Sequence, residues 1–304
     1  MDNGIMNENI ELVFWPVGLG DRSFSDQLEI ARAGGFDSLA ITPTRAKGLL
    51  ATGMTPADII QLAADYDIKI GPADGIATWV HDWKSTQGNP ALREMMINVF
   101  DIDMQEALDI SASLGMTSVI GVCFFDEGSI PETELVESFG RFCDLAMPYG
   151  IEIAVEPIPF WGIRDLSAAW HLVQSSGRAN ASIAFDTWHI EKGSKDFERD
   201  MALLATIPGD RLRHVQLADA DRVAYADSLS EDVMFRKFPG EGELQMVRML
   251  ATIMKQGGLV SVGPEIVSAE QSAMVNRTIG ERSGSGTRNV IERAREEARQ
   301  SFAT

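Results

Sequence analysis

IEIAVE (151–156), ASIAFD (181–186), HVQLA (214–218) and LVSVGPE (259–265) are four short apolar runs, each with one functional side chain at an end. Glu156 closes the first, Asp186 the second and Glu265 the last, while His214 opens the third. Runs of this length, rich in Ile, Val, Ala and Phe, read as strands buried on both faces, as in a parallel sheet. Glu156 and Asp186 are 30 residues apart, and Asp186 and His214 are 28. One strand–helix unit of an eightfold barrel takes roughly 30 residues. The carboxyl ends of such strands share one mouth, so residues distant in sequence converge there without a local motif. Two Glu, one Asp and one His form an oxygen-rich set with a single imidazole, suited to Mn²⁺, Mg²⁺ or Co²⁺. Each residue also has an ordinary alternative. Asp186 ahead of Thr-Trp-His can cap a turn, His214 can be a buried histidine bonded to backbone, and Glu156 and Glu265 can be neutralised by a cationic side chain.

Outward from these runs the alternation continues. ELVFW (11–15), DSLAIT (37–42), IKIGP (68–72) and TSVIGVCF (117–124) are the expected first four strands. Amphipathic stretches separate them: from about Ser25 to Gly34-Gly35, after Thr55-Pro56, from Pro90 to Leu114, and from Pro131 to Tyr149. Thr-Pro before the first turn and Gly after the last are the usual start and stop signals. Helices near 165–176, 196–206, 242–257 and 286–300 accompany the remaining strands. The pattern predicts an α/β protein, a single (β/α)8 TIM barrel over residues 1–304 with a long loop after strand seven and a C-terminal helix. His214 and Glu265 are 51 residues apart because of a polar, turn-rich insert from Arg222 to Glu243. Long loops at a barrel mouth commonly carry function.

Composition narrows the partners. With 45 acidic and 26 basic residues the formal charge is −19, which repels phosphate backbones and anionic membranes and makes nucleic acid a poor partner. No apolar run reaches the roughly 18 residues of a membrane span. MDNGIMNENIE (1–11) lacks the basic and apolar regions of a signal peptide, and Cys123 and Cys143 are too few for a disulfide framework. A cytoplasmic protein is expected.

AVEP (154–157), FDTWH (185–189), HVQLAD (214–219), FPGEGEL (238–244) and GPEIVS (263–268) follow one another in this order. On these runs the chain resembles the sugar phosphate isomerase/epimerase superfamily of xylose-isomerase-like barrels, strongly in its second half and through strand periodicity in its first. The resemblance implies a divalent metal on Glu156, Asp186, His214 and Glu265, with Mn²⁺ foremost and Mg²⁺ or Co²⁺ as alternatives. It also implies substrate contacts from His189 and Arg222 and association into a homo-oligomer. The activity it implies is a metal-dependent isomerase or epimerase acting on an α-hydroxyketone, with a dehydratase or lyase as the alternative. One departure bears on that choice. Ketose epimerases follow the strand-five Glu with a second Glu six residues on, whereas PIPFWG (157–162) places Gly162 there. An endonuclease of the same superfamily would need more histidine ligands than four His allow, and a basic face.

Trp15, Phe124 and Trp188 lie at or just beyond strand ends, and Trp79 follows strand three. These four are candidate walls for a sugar ring or cyclic polyol. Core packing is the alternative, since side chains alternate along a strand. PGEGE (239–243) carries two carboxylates, so it is no phosphate cradle and an unphosphorylated polyhydroxylated substrate is expected. A cation chelating a carbonyl and its neighbouring hydroxyl would stabilise an enediolate. Glu156 and Glu265 would move the proton. A leaving group β to the acidified carbon would divert the same intermediate to elimination, with His189 as the acid.

Overall fold

The structure, a computed structural model, describes residues 9–300. Eight parallel strands pair in chain order and close into one barrel: β1 (Glu11–Phe14), β2 (Ser38–Ile41), β3 (Lys69–Ile76), β4 (Ser118–Val122), β5 (Glu152–Glu156), β6 (Ala181–Asp186), β7 (His214–Leu217) and β8 (Ser261–Pro264). The (β/α)8 reading of the alternating pattern is therefore correct. The helices are α1 (Phe24–Gly34), α2 (Pro43–Ala51), α3 (Pro56–Ala64), α4 (Pro90–Phe100), α5 (Met104–Ser113), α6 (Glu132–Ala146), α7 (Leu166–Ser176), α8 (Thr187–Gly193), α9 (Phe197–Leu204), α10 (Leu229–Asp232), α11 (Met246–Gln256), α12 (Ala269–Ala273) and α13 (Asn276–Gln300). Among the described residues no helix is long and apolar enough to cross a membrane. The chain forms two compact units, one combining the chain up to Leu39 with that from Ala184 onward, the other Ala40–Ile183. β2 and β6 each begin in one unit and end in the other.

In the first unit the register places the site. Ala184, Phe185 and Asp186 pair with His214, Val215 and Gln216, and those three pair in turn with Ser261, Val262 and Gly263. Asp186 is thus level with Gln216. Gly263 is required where β1 passes, because a Cβ there would lie 1.6 Å from the Val13 carbonyl oxygen. Outside the strands, α13 packs along α1 and α11. The C-terminal helix was expected only from 286, yet α13 runs from Asn276 through the glycine-bearing stretch GERSGSG (280–286). The glycines are a contact surface. A Cβ on Gly280 would sit 2.3 Å from Ile30 O, and one on Gly284 2.0 Å from Gly34 O. Each glycine costs about 1 kcal/mol of helix propensity, which tertiary packing of the two backbones offsets.

In the second unit β4 and β5 pair over their full lengths, with Val122 level with Glu156. The single helix expected over 90–114 is two, α4 and α5, because the Asp103 carboxylate accepts the backbone N–H groups of Gln105 and Glu106 and starts a new helix. Apolar periodicity runs on across the break, so the cap decides it. β3 extends beyond IKIGP to Ile76 and is irregular between Ala73 and Ile76. Asp74 lies in that irregularity and is buried.

Burial pushes the Asp74 carboxyl up to about 6 from an ordinary 3.8. The folded state then holds this proton more tightly than the unfolded chain, so stability falls as pH rises through that window. Asp74→Asn is expected to leave stability nearly unchanged near pH 4 and to raise it by at most about 3 kcal/mol near pH 8. Urea unfolding at both pH values measures this, and the same change at both would contradict a buried, destabilised carboxylate.

Candidate active site

Asp186 ends β6 and caps α8: its Oδ1 accepts the His189 backbone N–H at 2.8 Å. The cap leaves Oδ2 for Arg236, whose Nη1 donates to it at 3.0 Å. The capping reading of Asp186 therefore holds on one oxygen, while the other faces the guanidinium. Nη1 of Arg236 also donates to Glu265 Oε2 at 2.8 Å and to the Glu265 carbonyl at 2.9 Å. Its Nη2 lies 2.9 Å from His189 Nε2. A guanidinium can only donate, so His189 Nε2 is the acceptor and the ring proton sits on Nδ1. Glu265 Oε1 accepts from Gln216 Nε2 at 3.0 Å. All five side chains are buried, Asp186 and Gln216 completely.

Burial dominates the electrostatics. It pushes His189 down to about 3, against the attraction of Asp186 and with the help of Arg236, so the imidazole is neutral. Burial opposes ionisation of Asp186, but the Arg236 guanidinium and the His189 backbone N–H outweigh it and hold the carboxyl below the usual range.

The same side chains fit a divalent cation. Asp186, His189 and Glu265 offer potential ligand atoms within 4.8 Å of one another. Two carboxylates already converge on a cationic group, and Gln216 Oε1 is buried with no hydrogen-bond partner. An orphaned acceptor beside two carboxylates is what an oxygen-liganded ion would satisfy. Glu156 ends β5 and is 4% exposed. His214 does not join this group. It opens β7, level with Ala184 and Ser261, and its Nδ1 lies 2.8 Å from Ser261 Oγ. Residues 214 and 216 share a strand face. The register puts the residue level with Asp186 two positions after His214.

The other expected site residues differ in their surroundings. Arg222 is exposed on the insert and gives its backbone N–H to Glu243 Oε2 at 3.0 Å. Trp188 is buried beneath Arg236, whose guanidinium carbon is 5.1 Å from its ring. Trp15 is buried just past β1, bridged to Glu265. In the second unit Trp79 is a core side chain, packed among Phe125, Phe139 and Phe142 with its Nε1–H donated to Val122 O at 2.9 Å. Phe124 packs with Trp83, Phe100 and Trp161 and is also buried. Gly162 has a packing cause, for a Cβ there would lie 2.0 Å from the Phe125 ring.

Arg236 escaped the sequence reading because it sits inside the polar insert after β7. That insert is firmly held. Antiparallel bridges Asp219↔Lys237 and Phe235↔Ser268 flank Arg236, and a buried Lys192–Asp232 pair at 2.8 Å joins α10 to α8. FPGEGEL owes its glycines to Asp219, whose carboxylate accepts the N–H groups of Gly240, Gly242 and Leu244 at 2.9–3.1 Å and that of Ala220 at 2.9 Å. A Cβ on Gly242 would lie 2.4 Å from Asp219 Oδ1. The cradle is filled by the protein's own anion.

The chain belongs to the xylose isomerase-like TIM barrel family, whose model matches residues 28–279. It is 27% identical over 236 residues to 3-dehydroshikimate dehydratase of Pseudomonas putida, an alignment covering 76% of this chain and 34% of that protein. It is 26% identical over 163 residues to inosose isomerase of Bacillus licheniformis, covering 52% of this chain and 56% of that protein. The chain thus spans about a third of the first relative and about half of the second. Its fold is shared with the IolI protein crystallised with a zinc atom, at a TM-score of 0.76 and 17% identity over 94% of this chain and 99% of that one.

Removing the anion that the FPGEGEL turn encloses should loosen the segment carrying Arg236. Asp219→Ala is expected to lower stability by about 3 kcal/mol, since four backbone donors lose a charged acceptor, and to open Arg236 and Lys237 to trypsin. Urea unfolding and limited proteolysis read the two effects; a variant as stable and as resistant as the parent would show that Asp219 does not hold the insert.

Proposed function

We propose that the chain is a divalent-metal-dependent enzyme that removes a proton next to a carbonyl in a small polyhydroxylated substrate and expels a β-hydroxyl, a dehydratase of a cyclic keto-substrate. The observation that carries this reading is Gln216, whose Nε2 holds Glu265 while its buried Oε1 has no hydrogen-bond partner. Asp186 and Glu265 already bracket a cation. This reading adds Glu156, the carboxylate that ends β5, to Asp186, Gln216 and Glu265 as the set that would hold the ion. In this reading Gln216 takes the part that His214 was expected to play. An all-oxygen set favours Mn²⁺ or Mg²⁺. When bound, the ion supplies Lewis acidity toward negative charge developing on the substrate carbonyl oxygen.

His189 is the proton carrier in this reading. Neutral, with Nε2 an acceptor, it takes the proton from the carbon α to the carbonyl and then, as imidazolium, delivers it to the departing hydroxyl. An enone and water result, with no proton gained or lost by the protein. The expected role of His189 as an acid becomes the second half of its work, since a neutral imidazole must first accept. The dehydratase relative, aligned over 76% of the chain, supports elimination. Isomerisation or epimerisation is the second reading, favoured by the inosose isomerase relative. Glu156 and Glu265 would then return the proton to the neighbouring carbon or the opposite face.

The test is NMR in D₂O of 3-dehydroshikimate and of inosose with the Mn²⁺-loaded protein. Dehydration of the former, abolished by EDTA, is expected. Solvent deuterium entering either substrate without loss of water would select the isomerase reading, and no exchange or conversion of either would refute enolisation of both. His189→Asn should lower turnover by roughly 10²–10⁴-fold while retaining Mn²⁺ binding; parent-like turnover would remove His189 from the mechanism.

A further inference from the structure

Arg236 occupies the position between two oxygens that a divalent cation would claim. Nη1 lies 2.8 Å from Glu265 Oε2 and 3.0 Å from Asp186 Oδ2, and the residue is 2% exposed. A lone pair filled by a guanidinium N–H cannot at the same time be given to a metal, and two positive charges in one buried pocket repel. The backbone of Arg236 is fixed by the bridges on either side and by its own N–H to Val267 O at 3.3 Å. The side chain is a long stem with several rotatable bonds, and the Trp188 ring beneath it offers a face along which a guanidinium can slide.

We propose that Arg236 is the built-in counter-cation of this site: it neutralises Asp186 and Glu265 in the metal-free protein, and a divalent cation enters by displacing it. The proposal rests on the metal-dependent reading above. It makes Arg236 a positioning residue that keeps the two carboxylates converged before the ion arrives. Without it, two buried carboxylates would lose the cation they share, which is strongly destabilising. The same bonds must be given up on metal entry, so Arg236 lowers metal affinity by as much as it stabilises the metal-free protein.

The experiment is calorimetric titration of Mn²⁺ into the chelator-treated parent, Arg236→Met and Arg236→Lys, with thermal melting of each in EDTA and in saturating Mn²⁺. Arg236→Met is expected to bind Mn²⁺ roughly tenfold tighter or more, to melt below the parent in EDTA, and to recover more on adding Mn²⁺. Arg236→Lys keeps the charge but not the planar fork, so its affinity should fall between the two; it carries the comparison if the Met variant does not fold without metal. Equal Mn²⁺ affinity in the parent and the variants overturns displacement, and weaker binding by the variants overturns it too, by making Arg236 part of the metal site's support. Absence of Mn²⁺ binding in all three proteins instead overturns the metal-dependent reading, and with it this one.

Discussion

Two carboxylates at strand ends inside an apolar barrel must be compensated by a cation, and much of this half of the molecule is arranged around that requirement. Asp186 and Glu265 share the Arg236 guanidinium. An ionised carboxylate buried alone would cost several kcal/mol or would simply take up a proton. Each carboxylate is oriented by a second bond. Asp186 is locked by capping α8, and Glu265 by the Gln216 amide. His189 follows from the same geometry, since the cap that orients Asp186 uses the His189 backbone N–H and brings its ring to the guanidinium. The result is a preorganised, water-poor cluster in which electrostatic interactions are strong.

The insert after β7 is what delivers the cationic side chain, and it is built like a structural element. Asp219 gathers four backbone N–H groups, Lys192 and Asp232 form a buried ion pair, and short antiparallel bridges tie the segment beside the ends of β7 and β8. Turn glycines that would suit a phosphate cradle instead enclose an internal carboxylate. A nest of backbone donors is therefore a site for an external anion only when no internal one fills it. Within this family, such loops are where one barrel can acquire different chemistry without altering its strands.

Glycine contacts show how local propensity yields to packing. Gly280 and Gly284 would weaken an isolated helix, yet they let α13 lie backbone to backbone against α1. Gly162, where a second glutamate was sought, is held by the Phe125 ring. In one dimension Gly280 and Gly284 lay ahead of the expected helix start, and Gly162 was only a departure from the ketose-epimerase pattern. In three dimensions they are contact surfaces.

The sequence by itself determined the eight strand–helix units and their order, because apolar periodicity and helix stop signals are local properties written in consecutive residues. It also singled out Glu156, Asp186 and Glu265, since a carboxylate at the end of an apolar run is conspicuous without any structure. It misjudged Pro90–Leu114 as one helix, where a single capping aspartate outweighed continuous periodicity. Only the tertiary structure placed Gln216 rather than His214 level with Asp186, because the register of β6 on β7 fixes that offset and a strand's own composition does not encode it. Only the tertiary structure brought in Arg236, since where a loop side chain comes to rest depends on closure of the whole insert across its bridges, a property of no short stretch of chain.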